Sequence, residues 1–252
     1  MTDATLLRVE RGIATITLNR PDNRNALSIE LLNSLGDNLT NAVEDKSVRV
    51  VVLTNEGNTF CAGANLRGEP TDEAPRFGLV EILQLMQDAP KPIVGRIAGH
   101  CTGGGNGLAA ACDISIAAED VFFAFTEVRI GVAPAIISVV CLPKLRRSDA
   151  LELFLTGKRV MATRIAEIGM INIAVPREEL DAAVGDLVDD LVAGAPNALA
   201  ASKDLVYKIP AMTREDAFAW TGKLSPELFA SEEAAEGIKA FREKTKPSWV
   251  PS

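Results

Sequence analysis

Two glycine-bearing loops hold the residues of this 252-residue chain whose types and spacing best suit chemistry. The first is Phe60-Cys61-Ala62-Gly63-Ala64-Asn65-Leu66. The second is Gly99-His100-Cys101-Thr102-Gly103-Gly104-Gly105-Asn106-Gly107-Leu108. Side chains this small let a ligand approach the main chain. A glycine run that opens a helix also leaves unpaired N–H groups at the positive end of the helix dipole. Such a place suits an anion, or an oxyanion that develops during reaction. Gly103 to Gly105 would equally serve close packing of a helix, and residue types alone leave both uses open. A dinucleotide-binding loop fits poorly, because the G-x-G-x-x-G register runs from Gly103 through Gly105 to Leu108, and no Walker loop occurs.

The other reactive side chains argue against a metal. Cys61, Cys101, Cys112 and Cys141 form no C-x-x-C pair, and His100 is the one imidazole, so the recurrent zinc-ligand spacings are absent and no metal is expected. The cysteines read as buried free thiols of a reducing compartment, and His100 as a structural residue. With 26 Lys+Arg against 34 Asp+Glu, the net charge of -8 disfavours a nucleic-acid partner. The chain is long enough to bury a sizeable core without disulfides or structural metal. Met1 to Gly12 carries Asp3, Arg8, Glu10 and Arg11 with no apolar stretch of a secretory signal. The most apolar segment, Ile130 to Pro143, is interrupted by Pro134 and is too short to span a bilayer. A soluble cytoplasmic protein with no membrane partner is expected.

The elements that must position the two loops follow from periodicity. Val9 to Leu18 is β-prone and stops at Arg20-Pro21-Asp22-Asn23, a turn composition. Leu27, Leu31, Leu32, Leu35, Leu39 and Val43 recur at helical spacing, with Ser28 as N-cap. Val48 to Thr54 reads as a strand buried on both faces and leads into a loop from Gly57 to Gly68. A helix around Leu79 to Met86, a strand Ile93 to Ile97, the glycine turn, an Ala-rich segment Leu108 to Cys112 and a strand Ile114 to Ile116 follow. From Ser148 onward most segments are Ala, Leu and Glu rich with helical spacing. The reading is an α/β core, residues 1–195, followed by a helical C-terminal region, residues 196–252, that is not an independent domain. No fixed-period repeat is visible in the letters.

The chain resembles the enoyl-CoA hydratase/isomerase, or crotonase, family along nearly its whole length. The likeness lies in Leu18-Asn19-Arg20-Pro21 with Arg24-Asn25-Ala26-Leu27, in Phe60-Cys61-Ala62-Gly63-Ala64, and in Gly103-Gly104-Gly105 leading to Ala111-Cys112-Asp113. It continues through Phe125-Thr126-Glu127-Val128-Arg129-Ile130-Gly131, Leu155-Thr156-Gly157 and Phe241-Arg242-Glu243-Lys244. The resemblance implies a crotonase-type spiral of ββα units, with the C-terminal helices used to form a homotrimer or a dimer of trimers. It implies an acyl-CoA thioester as substrate, with coenzyme A part of that substrate and no separate cofactor. The backbone N–H groups of Ala64 and Gly104 would form the oxyanion hole for a thioester enolate, each donor contributing on the order of 3 kcal/mol. Arg24, Ala62, Asn65, Leu66, Arg67 and Lys244 would contact substrate or CoA, with Lys246 a further candidate for the phosphates. Leu79, Leu83 and Met86 would border the acyl pocket or serve as ordinary core.

The proton chemistry departs from the family's hydratases. They typically place one glutamate shortly after the glycine run and a second further along; here the first position is Gly107 and the second is Glu127, the catalytic candidate. A hydratase holds a water and delivers a proton, work usually divided between two carboxylates, whereas an isomerase needs a single base. Against that, Gly-Gly-Gly-x-Gly-Leu with Glu-Val-Arg-x-Gly and Pro134-Ala135-Ile136-Ile137-Ser138 looks like the bacterial methylglutaconyl-CoA hydratase-like branch. Three functions are carried forward. They are hydration of a 2-enoyl-CoA, double-bond isomerisation through Glu127 alone, and acyl-CoA binding without catalysis.

Overall fold

The computed structural model describes residues 3–66 and 74–250. Its elements run β1 (Thr5–Glu10), β2 (Ile13–Leu18), α1 (Ile29–Glu44), β3 (Val50–Asn55), β4 (Thr59–Cys61), α2 (Leu79–Asp88), β5 (Ile93–Ile97), β6 (His100–Thr102), α3 (Gly104–Ala111), β7 (Ile114–Ala118), β8 (Phe122–Ala124) and α4 (Ala135–Cys141). They continue as α5 (Arg147–Thr156), β9 (Val160–Met161), α6 (Ala162–Glu167), β10 (Ile173–Val175), α7 (Leu180–Ala193), α8 (Pro196–Lys208), α9 (Arg214–Phe229) and α10 (Glu232–Glu243).

From β3 to β8 successive strands alternate between two sheets. One has the order β1-β2-β3-β5-β7-β10, the other β4-β6-β8-β9. From β3 to α4 the chain therefore repeats one strand in the large sheet, one in the small sheet and one helix, three times over. This is the ββα spiral, an α/β fold whose repeat lies in topology and not in letters. β3 shows why the order is stable. All six of its residues are buried between β2 and β5, so a Val-rich strand without alternation belongs there. In α1, the Ser28 hydroxyl accepts the Leu31 N–H at 3.2 Å, and Leu31, Leu32, Leu35 and Leu39 form the buried stripe.

Two expected loops contain strands. Gly57 to Gly68 includes β4, and the glycine turn after Ile97 includes β6; three residues are too few for a period to show. The two uses of the glycine run also separate here. A Cβ on Gly105 would stand 2.1 Å from the Cys61 carbonyl oxygen, so Gly105 permits α3 to lie against β4.

Gly194 and Ala195 join α7 to α8. Neither α8 nor α9 buries a residue fully, and Val206, Phe218 and Phe229 are 71%, 68% and 73% exposed. The region is tied to the core by polar contacts. Lys203 pairs with Asp113 at 2.9 Å, Tyr207 donates to the same carboxylate at 3.0 Å, and Arg49 donates to the Trp249 carbonyl at 2.8 Å. Among the described residues no helix is long and apolar enough to cross a membrane.

Candidate active site

β4, β6 and β8 lie side by side in parallel, with Cys61 opposite Cys101 and Thr102 opposite Ala124. Their C-terminal ends therefore deliver three segments to one place: the Ala62–Ala64 loop, the Gly103–Gly104 turn and Glu127.

The first loop is held on every side but one. Ala62 donates its N–H to the Arg24 carbonyl at 3.1 Å, and Thr102 Oγ1 donates to the Ala62 carbonyl at 3.0 Å. Gly63 has φ +80°, donates to Cys61 Sγ at 3.4 Å and accepts the Leu27 N–H at 2.8 Å. The Ala64 N–H finds no backbone acceptor among the described residues. Opposite, Gly104 is the first residue of α3, so its N–H has no intrahelical partner. The two segments touch: a Cβ on Gly63 would stand 2.8 Å from the Gly104 nitrogen. Two amides without partners among the described residues thus sit on apposed backbones fixed by the sheet, as preorganised oxyanion donors require.

Glu127 stands in a 3-10 turn, Thr126–Ile130, directly after β8. Its Oε1 lies 3.6 Å from the position of a Cβ on Gly103. The side chain is half-buried, and Oε2 has no hydrogen-bond partner among the described residues. Burial pushes its pKa up, opposed by a hydrogen bond from its own backbone N–H. Arg129, on the same turn, does not neutralise it, because its guanidinium donates to the Gly157 and Thr156 carbonyls at 3.1 and 3.3 Å. Leu27 and Leu79 close the turn from the other side, with carbons 2.6 and 3.3 Å from a Cβ position on Gly104. A carboxyl group whose pKa burial raises, beside two amides and apolar walls, can move a proton next to a carbonyl whose oxygen the amides hold.

The model of the enoyl-CoA hydratase/isomerase family matches residues 8–251. The chain belongs to that family. It is 34% identical to the carnitinyl-CoA dehydratase of Salmonella typhi, over 94% of each chain. It is 29% identical to the mitochondrial enoyl-CoA hydratase domain-containing protein 3 of Xenopus laevis, over all of this chain and 87% of the relative. The crystal structure of an enoyl-CoA hydratase from Mycobacterium smegmatis superposes with a TM-score of 0.89 at 34% identity, covering 98% of each chain.

Within the family, the position of this chain at Gly107 has a steric cause. A Cβ there would stand 2.3 Å from Cγ2 of Ile137, which α4 inserts into the notch and which is 2% exposed. No carboxylate side chain fits at 107 while Ile137 is in place.

The remaining candidates divide. Ala62 and Asn65 flank the free Ala64 amide, and Leu66 is 70% exposed beside them. Arg24 ends the 3-10 turn Pro21–Asn23 with φ +54°; its carbonyl supports the loop and its side chain is exposed. Arg67 lies outside the described residues. Lys244 is not brought to the others within one chain. It ends α10, and the tail after it is held by Arg49 at the N-terminal end of β3, whereas the Arg24 turn meets the other end through Asn25, whose amide donates to the Glu56 carbonyl. Leu83 and Met86 are core, 4% and 0% exposed, and only Leu79 of that trio reaches the site. His100 is structural in its contacts: its Nδ1 accepts the Phe122 N–H at 3.2 Å and its ring stacks on Phe122. Burial lowers its pKa.

Sequence reasoning missed Leu27, Thr102 and Ile137 as site residues. All three lie within quoted motifs, but their roles depend on contacts between segments far apart in the chain. A cavity of about 680 Å³ lies elsewhere, at the C-terminal end of α3 under α8. Its charged groups are committed to the protein itself, through the Lys203–Asp113 pair and Lys144 donating to the Cys112 carbonyl at 2.9 Å.

Proposed function

We propose that the protein is an acyl-CoA enzyme that holds a thioester carbonyl oxygen with the N–H groups of Ala64 and Gly104. Glu127 moves the proton at the adjacent carbon. The observation that carries this reading is the Glu127 carboxyl group, whose Oε1 stands 3.6 Å from a Cβ position on Gly103 and whose buried Oε2 has no hydrogen-bond partner among the described residues. As charge develops on the thioester oxygen the amides gain strength, and the half-buried carboxyl group exchanges a proton with the α-carbon.

The net reaction is hydration of a 2-enoyl-CoA: the water oxygen bonds to the β-carbon, Glu127 gives a proton to the α-carbon, and the proton that the water gives up returns to Glu127. The names of the Salmonella and Mycobacterium relatives, a dehydratase and a hydratase, support it. A likeness to the methylglutaconyl-CoA hydratase-like branch points the same way from motifs alone. One observation favours a second reading, double-bond isomerisation: Ile137 occupies the room that a second carboxylate at 107 would need. Coenzyme A arrives as part of the substrate and no further cofactor is required. Arg24, Asn65, Leu66 and Arg67 are proposed at the entrance. Lys244 would act there only from a second copy, in a homotrimer or dimer of trimers that also covers the exposed Phe218 and Phe229 of α9. Localisation is proposed as cytoplasmic.

The test is incubation with 2-enoyl-CoA and with 3-enoyl-CoA, following product mass. A gain of one water supports hydration, and rearrangement without it supports isomerisation. Thermal stabilisation by acyl-CoA with neither would leave a binding protein and overturn the catalytic reading.

A further inference from the structure

The two contacts on the face of α3 lie one helical turn apart. Glu127 Oε1 stands over Gly103, and Ile137 fills the notch over Gly107. Cys141, a turn beyond Ile137 on α4, continues the same wall. Its thiol reaches the Asn106 carbonyl at 3.9 Å, and burial raises its pKa, with Lys144 pulling it down and Glu127 pushing it up by smaller amounts. α4 therefore presents hydrocarbon and a neutral thiol to the flank of Glu127. Arg129 is turned away to the Gly157 and Thr156 carbonyls, and Lys144, at the end of α4, donates to the Cys112 carbonyl.

Resting on the reading of Glu127 as the proton carrier, we infer that Ile137 is a specificity-determining positioning residue. Seated at Gly107, it fills with hydrocarbon the place one turn along α3 from which a second polar side chain could reach the reacting carbons, so any water used in turnover is held on the Glu127 side. One carboxylate then carries every proton step, from one face of the substrate. The Gly107–Ile137 contact is the structural basis, since neither member can change size alone. A methyl on Gly107 collides with Cγ2 and Cβ of Ile137, at 2.3 and 2.9 Å, and a shortened Ile137 leaves a hole beside the carboxyl group.

The experiment compares Gly107→Ala, Ile137→Ala, the double variant and Glu127→Gln in deuterated water on 2-enoyl-CoA and on 3-enoyl-CoA, read with whichever the wild type turns over. Turnover and deuterium at the α-carbon are followed by mass spectrometry, with melting curves for each variant. Ile137→Ala is expected to raise solvent exchange per turnover at least about threefold, and to bring the acid limb of the kcat/KM profile to lower pH as water reaches Glu127. Gly107→Ala alone is expected to lose at least about tenfold in kcat/KM. The double variant should return to within about threefold of Ile137→Ala, because the collision is gone. Unchanged exchange and an unmoved pH profile in a folded Ile137→Ala, or wild-type turnover in Gly107→Ala, overturns the inference. Should Ile137→Ala not fold, Ile137→Val, one methyl shorter, is read in the same way. Retained activity in Glu127→Gln would instead overturn the reading on which the inference rests.

Discussion

Replacing Gly63 by alanine separates what the oxyanion loops contribute from what the rest of the fold contributes. Gly63 has φ +80°, where a residue with a Cβ costs about 1–2 kcal/mol. The added methyl would also stand 2.8 Å from the Gly104 nitrogen, 3.0 Å from the Thr102 carbonyl oxygen and 3.1 Å from the Gly103 Cα, all of them backbone. Overpacking of this kind adds about 1–3 kcal/mol. Together these cost about 2–5 kcal/mol, and at roughly 2–4 °C per kcal/mol for a chain of this size the melting temperature should fall by roughly 4–20 °C. The functional effect is larger, because relief requires the Ala62–Ala64 loop and the Gly104 turn to move apart. Displacing one preorganised donor costs about 10²–10³ in kcat. Gly12→Ala is the comparison. It carries the same φ, +80°, but meets the side chain of Arg49 in the turn between β1 and β2, so it should lose stability with wild-type kcat. Calorimetry and steady-state kinetics on both variants decide the matter. If Gly63→Ala melts no lower than Gly12→Ala and turns over within about threefold of wild type, the two loops do not form one oxyanion site.

Other outcomes follow from burial and pairing. Burial raises the pKa of Glu127 in the folded state, so folding favours its protonated form; this contribution is present below the unfolded carboxylate range and is lost as pH rises through the folded value. Glu127→Gln should therefore be more stable than wild type near neutrality, by a margin that shrinks as pH falls, read from denaturant midpoints across pH. Lys203→Met leaves the Asp113 carboxylate, 16% exposed, without its cation and should cost about 3 kcal/mol, with Asp113→Asn in the same chain recovering part of it. Burial pushes the thiols of Cys61, Cys112 and Cys141 up to about 12, so a thiol reagent near pH 8 should label none of them in the native protein and all of them after unfolding.

The larger elements were legible because each carries a long period or a decisive cap. The Leu31–Leu39 stripe with Ser28 located α1, and the unbroken apolar β3 announced a strand buried on both faces. β4 and β6 were not legible, since three residues each are defined by pairing with one another and not by pattern. In the glycine run, the sequence could not divide packing from binding; the Cys61 carbonyl against Gly105 and the unpaired amide of Gly104 make that division. Gly107 was visible as a departure, but its cause was not. Ile137 lies thirty residues away and reads in isolation as one apolar residue among several. Lys244 is the reverse case, assigned to the site by motif and placed by the fold of one chain at the far end of β3.

The central claim is that Glu127 moves the α-proton of a thioester held by the Ala64 and Gly104 amides. Its most direct test is deuterium incorporation at the α-carbon of an acyl-CoA in deuterated water, comparing wild type with Glu127→Gln under saturating substrate. The account predicts enzyme-dependent incorporation that falls at least about a thousandfold in Glu127→Gln, while acyl-CoA still raises the melting temperature of both proteins. Incorporation at the same rate in both would contradict it.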